Sequence, residues 1–320
     1  MTPEFPSHYQ NGRFHNQSAE PRGLGDMITW VRNRQPGPWR KWTPSEYGPK
    51  PPERVGAGAL RVTFIGHSTA LIQINGKNFL TDPIWSDRAS PLSWIGPKRH
   101  RAPGLRFEDL PRIDAILVSH DHYDHFDTRS LQRLQAQHRP EIFCSLGVAK
   151  RLRKLGYRAP HELDWWSAAD FAPGLRIHCT PAQHFSGRWL WDRNRTLWCS
   201  WLIEAPESNV YFGADTGFGP HFAEIARRFP SPRLALLPVG AYRPEWFMSP
   251  VHMSPDEALK AHEILQAQTS AAIHYGTFRL ADDGETEAVD RVRILVEQNS
   301  ALRNFMILKE GIGCDVPLKP

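Results

Sequence analysis

Apolar and polar positions along the chain repeat one local pattern. Short runs rich in Val, Ile, Leu and Phe stop at Gly, Pro, Asp or His, as in Leu60–Ile65, Ile113–Val118, Leu175–Cys179, Val210–Phe212 and Ala271–Ile273. Such runs read as buried strands. Between them, helical spacing covers residues 132–137, 147–155, 222–229, 256–266 and 285–298. Ser254-Pro255-Asp256-Glu257 is a good N-terminus for the fourth of these, with a capping serine, a proline and acids in the first turn. Strands and helices alternate without a composition break after residue 58, so 56–320 reads as one domain.

The first 55 residues differ: they are rich in Pro, Arg and Gly and show no repeat or heptad. Met27–Val31 is too short to span a bilayer, and no signal-peptide apolar core precedes it. This segment is expected to be a partly irregular arm lying over the domain. Trp30, Trp39 and Trp42 alternate there with Arg32, Arg34, Arg40 and Lys41. Two readings are open: contact with a lipid headgroup layer, or aromatic anchors that pin the arm to the body.

The strand 113–118 leads into His120-Asp121-His122-Tyr123-Asp124-His125. Three imidazoles packed this closely with carboxylates cannot all face an apolar core without partners. Imidazole nitrogen and carboxylate oxygen are ligands for borderline cations such as zinc. By spacing, His120 and His122 can reach one ion from the strand exit, and Asp124 and His125 a second across the turn. Ions held roughly 3.5–4 Å apart form a two-metal hydrolytic centre. Further ligands are expected at His184, Asp215 and His274, each at the end of a strand-like run and before a small residue or turn.

The order H-x-H-x-D-H, His, Asp, His resembles the metallo-β-lactamase superfamily. Further blocks resemble one branch of it, the N-acyl-phosphatidylethanolamine-hydrolysing phospholipase D family. These include Phe64-Ile65-Gly66-His67-Ser68-Thr69, Thr81-Asp82-Pro83, Gly96-Pro97-Lys98-Arg99, Leu163-Asp164-Trp165-Trp166, Pro181-Ala182-Gln183-His184 and His274-Tyr275-Gly276-Thr277-Phe278. In order, they cover about residues 58–280. The resemblance implies an αββα sandwich of two mixed β-sheets flanked by helices. It also implies two zinc ions, one on His120, His122 and His184, the other on Asp124, His125 and His274, with Asp215 bridging. Manganese or iron(II) are alternatives, because metal availability matters as much as ligand type. His122 stands where redox relatives of the fold carry a carboxylate, so hydrolysis is preferred over electron transfer.

The activity so implied is that of a zinc-dependent phosphodiesterase of phospholipase D type. It would cleave N-acyl-phosphatidylethanolamine into phosphatidic acid and N-acylethanolamine. Asp124 and His252 are the catalytic candidates, His252 for binding the phosphoryl group or protonating the leaving oxygen. Asp82 is expected to orient a ligand and His67 to face the cleft, each weighed against a purely structural bond. Better-known animal members carry a polar amide where this chain has Val251, which separates it from them near the headgroup.

A net charge of +5 suits anionic partners, and Lys98-Arg99-His100-Arg101 is a local basic run. Peripheral membrane contact is allowed, while nucleic acid is not expected, because nuclease relatives usually carry an additional gripping domain. No G-x-S-x-G, P-loop or Rossmann fingerprint offers another chemistry. Cys144, Cys179, Cys199 and Cys314 show no paired spacing, and the first three read as buried thiols of a cytoplasmic protein. Two alternatives stand beside the lipid reading. One is a soluble di-zinc hydrolase of a lactone, cyclic phosphate or other small ester; the other is a metal-stabilised binding protein without catalysis.

Overall fold

The computed structural model describes residues 7–189, 191–206 and 208–318. Two seven-stranded mixed sheets form the centre. The first runs, across the sheet, Gly313–Asp315, Leu60–Gly66, Thr69–Ile74, Lys77–Thr81, Ala115–Val118, Glu141–Ser145 and His161–Leu163. The second runs Phe305–Met306, Ser270–Ile273, Leu234–Pro238, Val210–Phe212, Ser200–Glu204, Leu175–Thr180 and Ala168–Ala172.

Strand alternation explains why the runs are apolar throughout. Val62, Phe64, Ile72, Ala115 and Leu117 join residues of the second sheet, including Trp201 and Phe212, in the core between the sheets. Their neighbours Ile65, Leu71, Ile116 and Val118 point the other way, into a core with Leu131, Leu134 and Leu152. Those leucines come from helices Thr128–Gln137 and Ala149–Lys154. A strand covered on both faces has no polar side to show. On the outer side of the second sheet lie His221–Arg228, Pro255–Leu265 and Glu287–Gln298, giving helix–sheet–sheet–helix layering. At the start of Pro255–Leu265, Ser254 Oγ accepts from Glu257 N at 3.3 Å and Glu257 Oε2 accepts from Ser254 N at 2.9 Å.

The N-terminal segment carries more structure than its composition suggests. Tyr9–Gln10 and Arg13–Phe14 pair as a small hairpin, and Leu24–Arg32 is a helix. Trp30 Nε1 donates to Asp282 at 2.8 Å and stacks on Phe247; Trp39 Nε1 donates to the Asp283 carbonyl at 2.8 Å. These two tryptophans therefore pin the arm, and only Trp42 of the three is exposed. Glu285 is the polar tie, accepting from Arg40, Thr43 and Arg101. Gly48 and Gly104 both abut Gly311, where a Cβ on either would stand about 2 Å from its backbone (1.9 and 2.2 Å). Glycine is required there for the chain segments to meet.

The basic run 98–101 is mostly not a surface patch. Arg99 is buried, bonded to the Ile84 and Ser86 carbonyls and stacked on Phe278, and Arg101 pairs with Glu285 and Glu310. Only Lys98 stands in solvent. Cys144, Cys179, Cys199 and Cys314 are free thiols, the first three buried.

Candidate metal centre

Strand ends from both sheets meet at one edge of the sandwich. The turn after Ala115–Val118 supplies His120, His122, Asp124 and His125, and is closed by Phe126 N donating to the His122 carbonyl at 2.8 Å. His184 follows Leu175–Thr180, Asp215 follows Val210–Phe212, and His274 follows Ser270–Ile273. His67 and Asp82 come from the ends of Leu60–Gly66 and Lys77–Thr81. His67, Asp82, Ala214, Ala241 and His274 all have positive φ, between 30° and 60°. Each such non-glycine conformation costs roughly 1 kcal/mol or more, and such strain gathers where a site dictates side-chain direction. Gly240 lies so close that a Cβ there would stand 2.1 Å from the His274 carbonyl oxygen.

The ligand-type atoms fall into overlapping sets whose members lie within 4.8 Å of one another: His120, His122 and His184; His67, Asp124, His125 and His274; Asp82, His120 and His125; His184, Asp215 and His252. Asp215 Oδ2 is central, at 3.1 Å from both His125 Nε2 and His274 Nε2, 3.7 Å from His184 Nε2 and 4.0 Å from His252 Nδ1. Asp124 Oδ2 lies 3.4 Å from His125 Nε2 and 3.6 Å from His274 Nε2.

The hydrogen bonds around the histidines aim their other nitrogens inward. His125 Nδ1 donates to Asp82 Oδ2 at 2.8 Å, His184 Nδ1 to the Val251 carbonyl at 2.9 Å, and His120 Nδ1 to Ser119 Oγ at 2.9 Å. Ser119 passes its own proton to Asp82 at 2.5 Å. Donation from Nδ1 leaves Nε2 as a bare lone pair, the arrangement of a metal-binding imidazole. His125 Nε2, His274 Nε2, Asp215 Oδ1 and His252 Nδ1 are buried and make no hydrogen bond among the described residues. Groups of this kind are rarely left so in a folded interior. The donor set therefore fits cations.

Electrostatics point the same way. Burial, with neighbouring imidazoles adding to it, holds His120 and His184 well below the ordinary histidine range, so both are neutral lone-pair donors. Burial opposes charge on His125 and His274 as well, yet Asp215 and Asp124 outweigh it, raising His125 strongly and His274 to about 9. Burial would likewise push Asp124 and Asp215 up, but the adjacent imidazoles hold both well below the usual carboxylate range. Two buried carboxylates thus demand positive charge at one spot, which protons on His125 and His274 or bound cations satisfy.

A cleft of about 290 Å³ opens onto this centre, lined by His122, Tyr123, Asp124, His184, Asp215 and His252 with Phe185, Leu280, Ala89 and Pro97. A larger hollow of about 980 Å³, between Asp170–Arg176 and Glu204–Pro206, lies away from every ligand-type set. His252 follows helix Glu245–Met248 and faces the cleft; burial pushes it down to about 4. His67 Nε2 bonds Asp124 Oδ2 at 2.9 Å, and burial together with His274 lowers it to about 3. Val251 meets the centre through its backbone carbonyl, a contact independent of its side chain.

Three participants escaped sequence reasoning. Asn16 of the arm brackets the backbone of His184, its amide donating to the carbonyl at 2.8 Å and accepting from the N–H at 3.0 Å. Asp121 accepts from Arg151 at 3.0 Å and from Gly187 N at 2.9 Å, tying the metal turn to the segment after His184. Arg188 donates to the Asp121 and Phe126 carbonyls and lies 3.9 Å from the Tyr123 ring centroid. Asp121 sits inside the hexapeptide and was visible there. Asn16 and Arg188 carry no local signal.

Fold and centre define a protein of the metallo-β-lactamase type, with a His/Asp cluster fit for metal. The sequence profile of the beta-lactamase superfamily domain matches residues 77–275, and the chain belongs to that superfamily. It is 42 % identical over 249 residues to an uncharacterized protein of Mycobacterium tuberculosis, covering 76 % of this chain and 66 % of that protein, just under two thirds of its length. It is 37 % identical over 266 residues to N-acyl-phosphatidylethanolamine-hydrolyzing phospholipase D 1 of Caenorhabditis elegans, covering 79 % of this chain and 74 % of the relative. The crystal structure of isothiocyanate hydrolase from Delia radicum gut bacteria superposes with a TM-score of 0.63 at 21 % identity, over 79 % of this chain and 98 % of that one. At that identity the likeness concerns the fold alone.

Proposed function

We propose that the protein is a two-zinc phosphodiesterase of phospholipase D type acting on N-acylated ethanolamine phospholipids. His120, His122 and His184 would hold one ion, Asp124, His125 and His274 the other, with Asp215 shared. The observation that carries the two-ion reading is the position of Asp215 Oδ2, within 3.7 Å of Nε2 atoms from both sets. The lipid reading is supported by the nematode relative and by the sequence blocks shared with its family.

Ions bound there would supply an activated water and offset charge growing on a phosphoryl oxygen. The chain's own groups set the geometry. Asp82 and Ser119 fix His125 and His120, and the Val251 carbonyl fixes His184. His252 Nδ1 is left free to hydrogen-bond the phosphoryl group or the leaving oxygen. In the reaction the bond between phosphorus and the ethanolamine oxygen breaks and the oxygen of water joins phosphorus. The leaving oxygen takes up a proton, giving phosphatidic acid and N-acylethanolamine. The buried free thiols favour a reducing compartment.

The test combines metal analysis with turnover of N-acyl-phosphatidylethanolamine in mixed micelles, using Asp215→Asn as control. About two zinc ions per chain, and phosphatidic acid release abolished in the variant, are expected. Two bound ions without release would move the substrate to small soluble esters; a single ion would end the two-metal reading.

A further inference from the structure

Helix Leu24–Arg32 is amphipathic in the wrong direction for a folded domain. Leu24, Met27, Ile28 and Val31 stand at i, i+3, i+4 and i+7, one apolar stripe of the helix. In a globular protein that stripe faces the core. Here the helix buries none of its residues, and Leu24 and Val31 are 68 % and 58 % exposed. Its attachment is along one flank of the stripe, where Trp30 stacks on Phe247 and bonds Asp282.

Other exposed large apolar side chains flank the same cleft. The loop between Ala89 and Pro97, two residues that line the cleft, carries Leu92, Trp94 and Ile95, with Trp94 71 % exposed. Beyond Phe185, also in the cleft wall, Trp189 and Trp191 stack with ring centroids 5.3 Å apart and rings 2° from parallel. Trp246 is exposed beside Phe247, next to the helix. Leu280 of the cleft wall packs in one cluster with Trp30 and Phe247, which places the helix at this rim as well. Exposed apolar side chains gathered around one cleft mark a binding surface.

We infer that this rim docks on an anionic lipid surface, with helix Leu24–Arg32 lying in the headgroup layer and the Trp94 loop inserted beside it. The features are carried by separate loops and a helix, which suits a deformable layer better than a second rigid protein. Exposed Arg22, Arg32, Lys98, Arg193 and Arg195 lie in or beside these segments, against Glu20, Asp26, Asp87 and Glu245, with Glu20 near Arg193. An amphipathic helix with cations beside its apolar stripe binds anionic lipid through both terms. Tryptophans at the rim suit the boundary between headgroups and chains. The docking surface deepens the lipid reading, because it would set the cleft directly on the layer that holds the substrate.

The test is co-sedimentation of the metal-loaded full chain with vesicles of phosphatidylcholine alone and of phosphatidylcholine with phosphatidylglycerol. Strong binding to the mixed vesicles that weakens with added salt is expected. Ile28→Glu with Val31→Glu should lower the partition coefficient by about tenfold or more, with hydrolysis of bis-p-nitrophenyl phosphate in solution unchanged. Trp94→Ser with Ile95→Ser probes the same rim from a separate element, so misfolding of one variant does not remove the test. Failure of the wild-type chain to bind, or equal binding by both variants, overturns the proposal. So does a wild-type dimer that the glutamate pair dissociates, which would make the face a contact between copies. Vesicle binding is read without turnover: binding without hydrolysis of the N-acylated lipid would sink the proposed substrate and leave the docking surface standing.

Discussion

Replacing Asn16 with alanine tests whether the arm is part of the metal centre. The side chain makes three bonds, to the His184 carbonyl, the His184 N–H and Trp198 Nε1, at 2.8, 3.0 and 3.0 Å. Trp198 Nε1 keeps a second acceptor, the Ala182 carbonyl at 3.0 Å, so its loss is small. The two backbone groups of His184 have no such reserve in a residue that is buried. A buried polar group left unpaired costs about 1–3 kcal/mol. Two such groups, partly relieved by water entering the vacated space, give a loss of about 2–4 kcal/mol. That corresponds to a fall in Tm of roughly 3–6 °C in a chain of this size. The same change frees the backbone that aims His184 Nε2, so zinc held with His120 and His122 should bind about tenfold more weakly. The ion on Asp124, His125 and His274 should be retained. Denaturant unfolding with and without metal, and stepwise cobalt titration read by absorption, measure both effects. Asn16→Asp keeps the acceptor and loses the donor, and should fall between. An alanine variant within about 0.5 kcal/mol of wild type, with two unchanged titration steps, would refute the reasoning.

Asp82→Asn should keep the fold while weakening metal binding by about ten- to a hundredfold, because the His125 Nδ1–H and the Ser119 N–H and O–H all donate to that carboxylate. Equilibrium dialysis against zinc buffers checks this, and unaltered affinity would remove Asp82 as the group that positions His125. Glu285 is held at about 2: burial would raise it, but the bonds from Thr43, Arg40 and Arg101 outweigh burial. A carboxyl depressed on folding stabilises the protein fully above its ordinary value of about 4.5, and that contribution is lost as pH falls from there toward about 2. The loss is about 1–3 kcal/mol after allowing for solvent screening of the exposed Arg40 partner. Limited proteolysis of the arm across that window should show release in wild type, and Glu285→Gln should be cut already at neutral pH.

Legibility from sequence followed the range of the interaction. The strands and the main helices were visible because each is set by the alternation or periodicity of its own residues. Periodicity alone starts the helix after the hexapeptide at Gln132, whereas it begins at Thr128, because its first turn is mostly polar. Leu24–Arg32 went unrecognised because a segment rich in Arg, Pro and Gly looked irregular, although its apolar stripe was present. The mixed tryptophan and arginine segment was open between membrane contact and anchoring; Asp282 and Asp283, far along the chain, decided Trp30 and Trp39 in favour of anchoring.

The hexapeptide by itself determined that a cluster of imidazoles and carboxylates stands at a strand exit, since six adjacent residues cannot be separated by folding. The strand-end positions of His184, Asp215 and His274 were likewise local facts. Their convergence was not: strands from two sheets had to stack before Asp215 could stand between His125 and His184. Tertiary structure alone chose the Nδ1 partners that point each Nε2 inward, brought Asn16 against His184 across 168 positions of sequence, and turned the apolar face of the first helix outward. Contacts between distant segments depend on how whole layers pack, and no window of neighbouring residues carries that information.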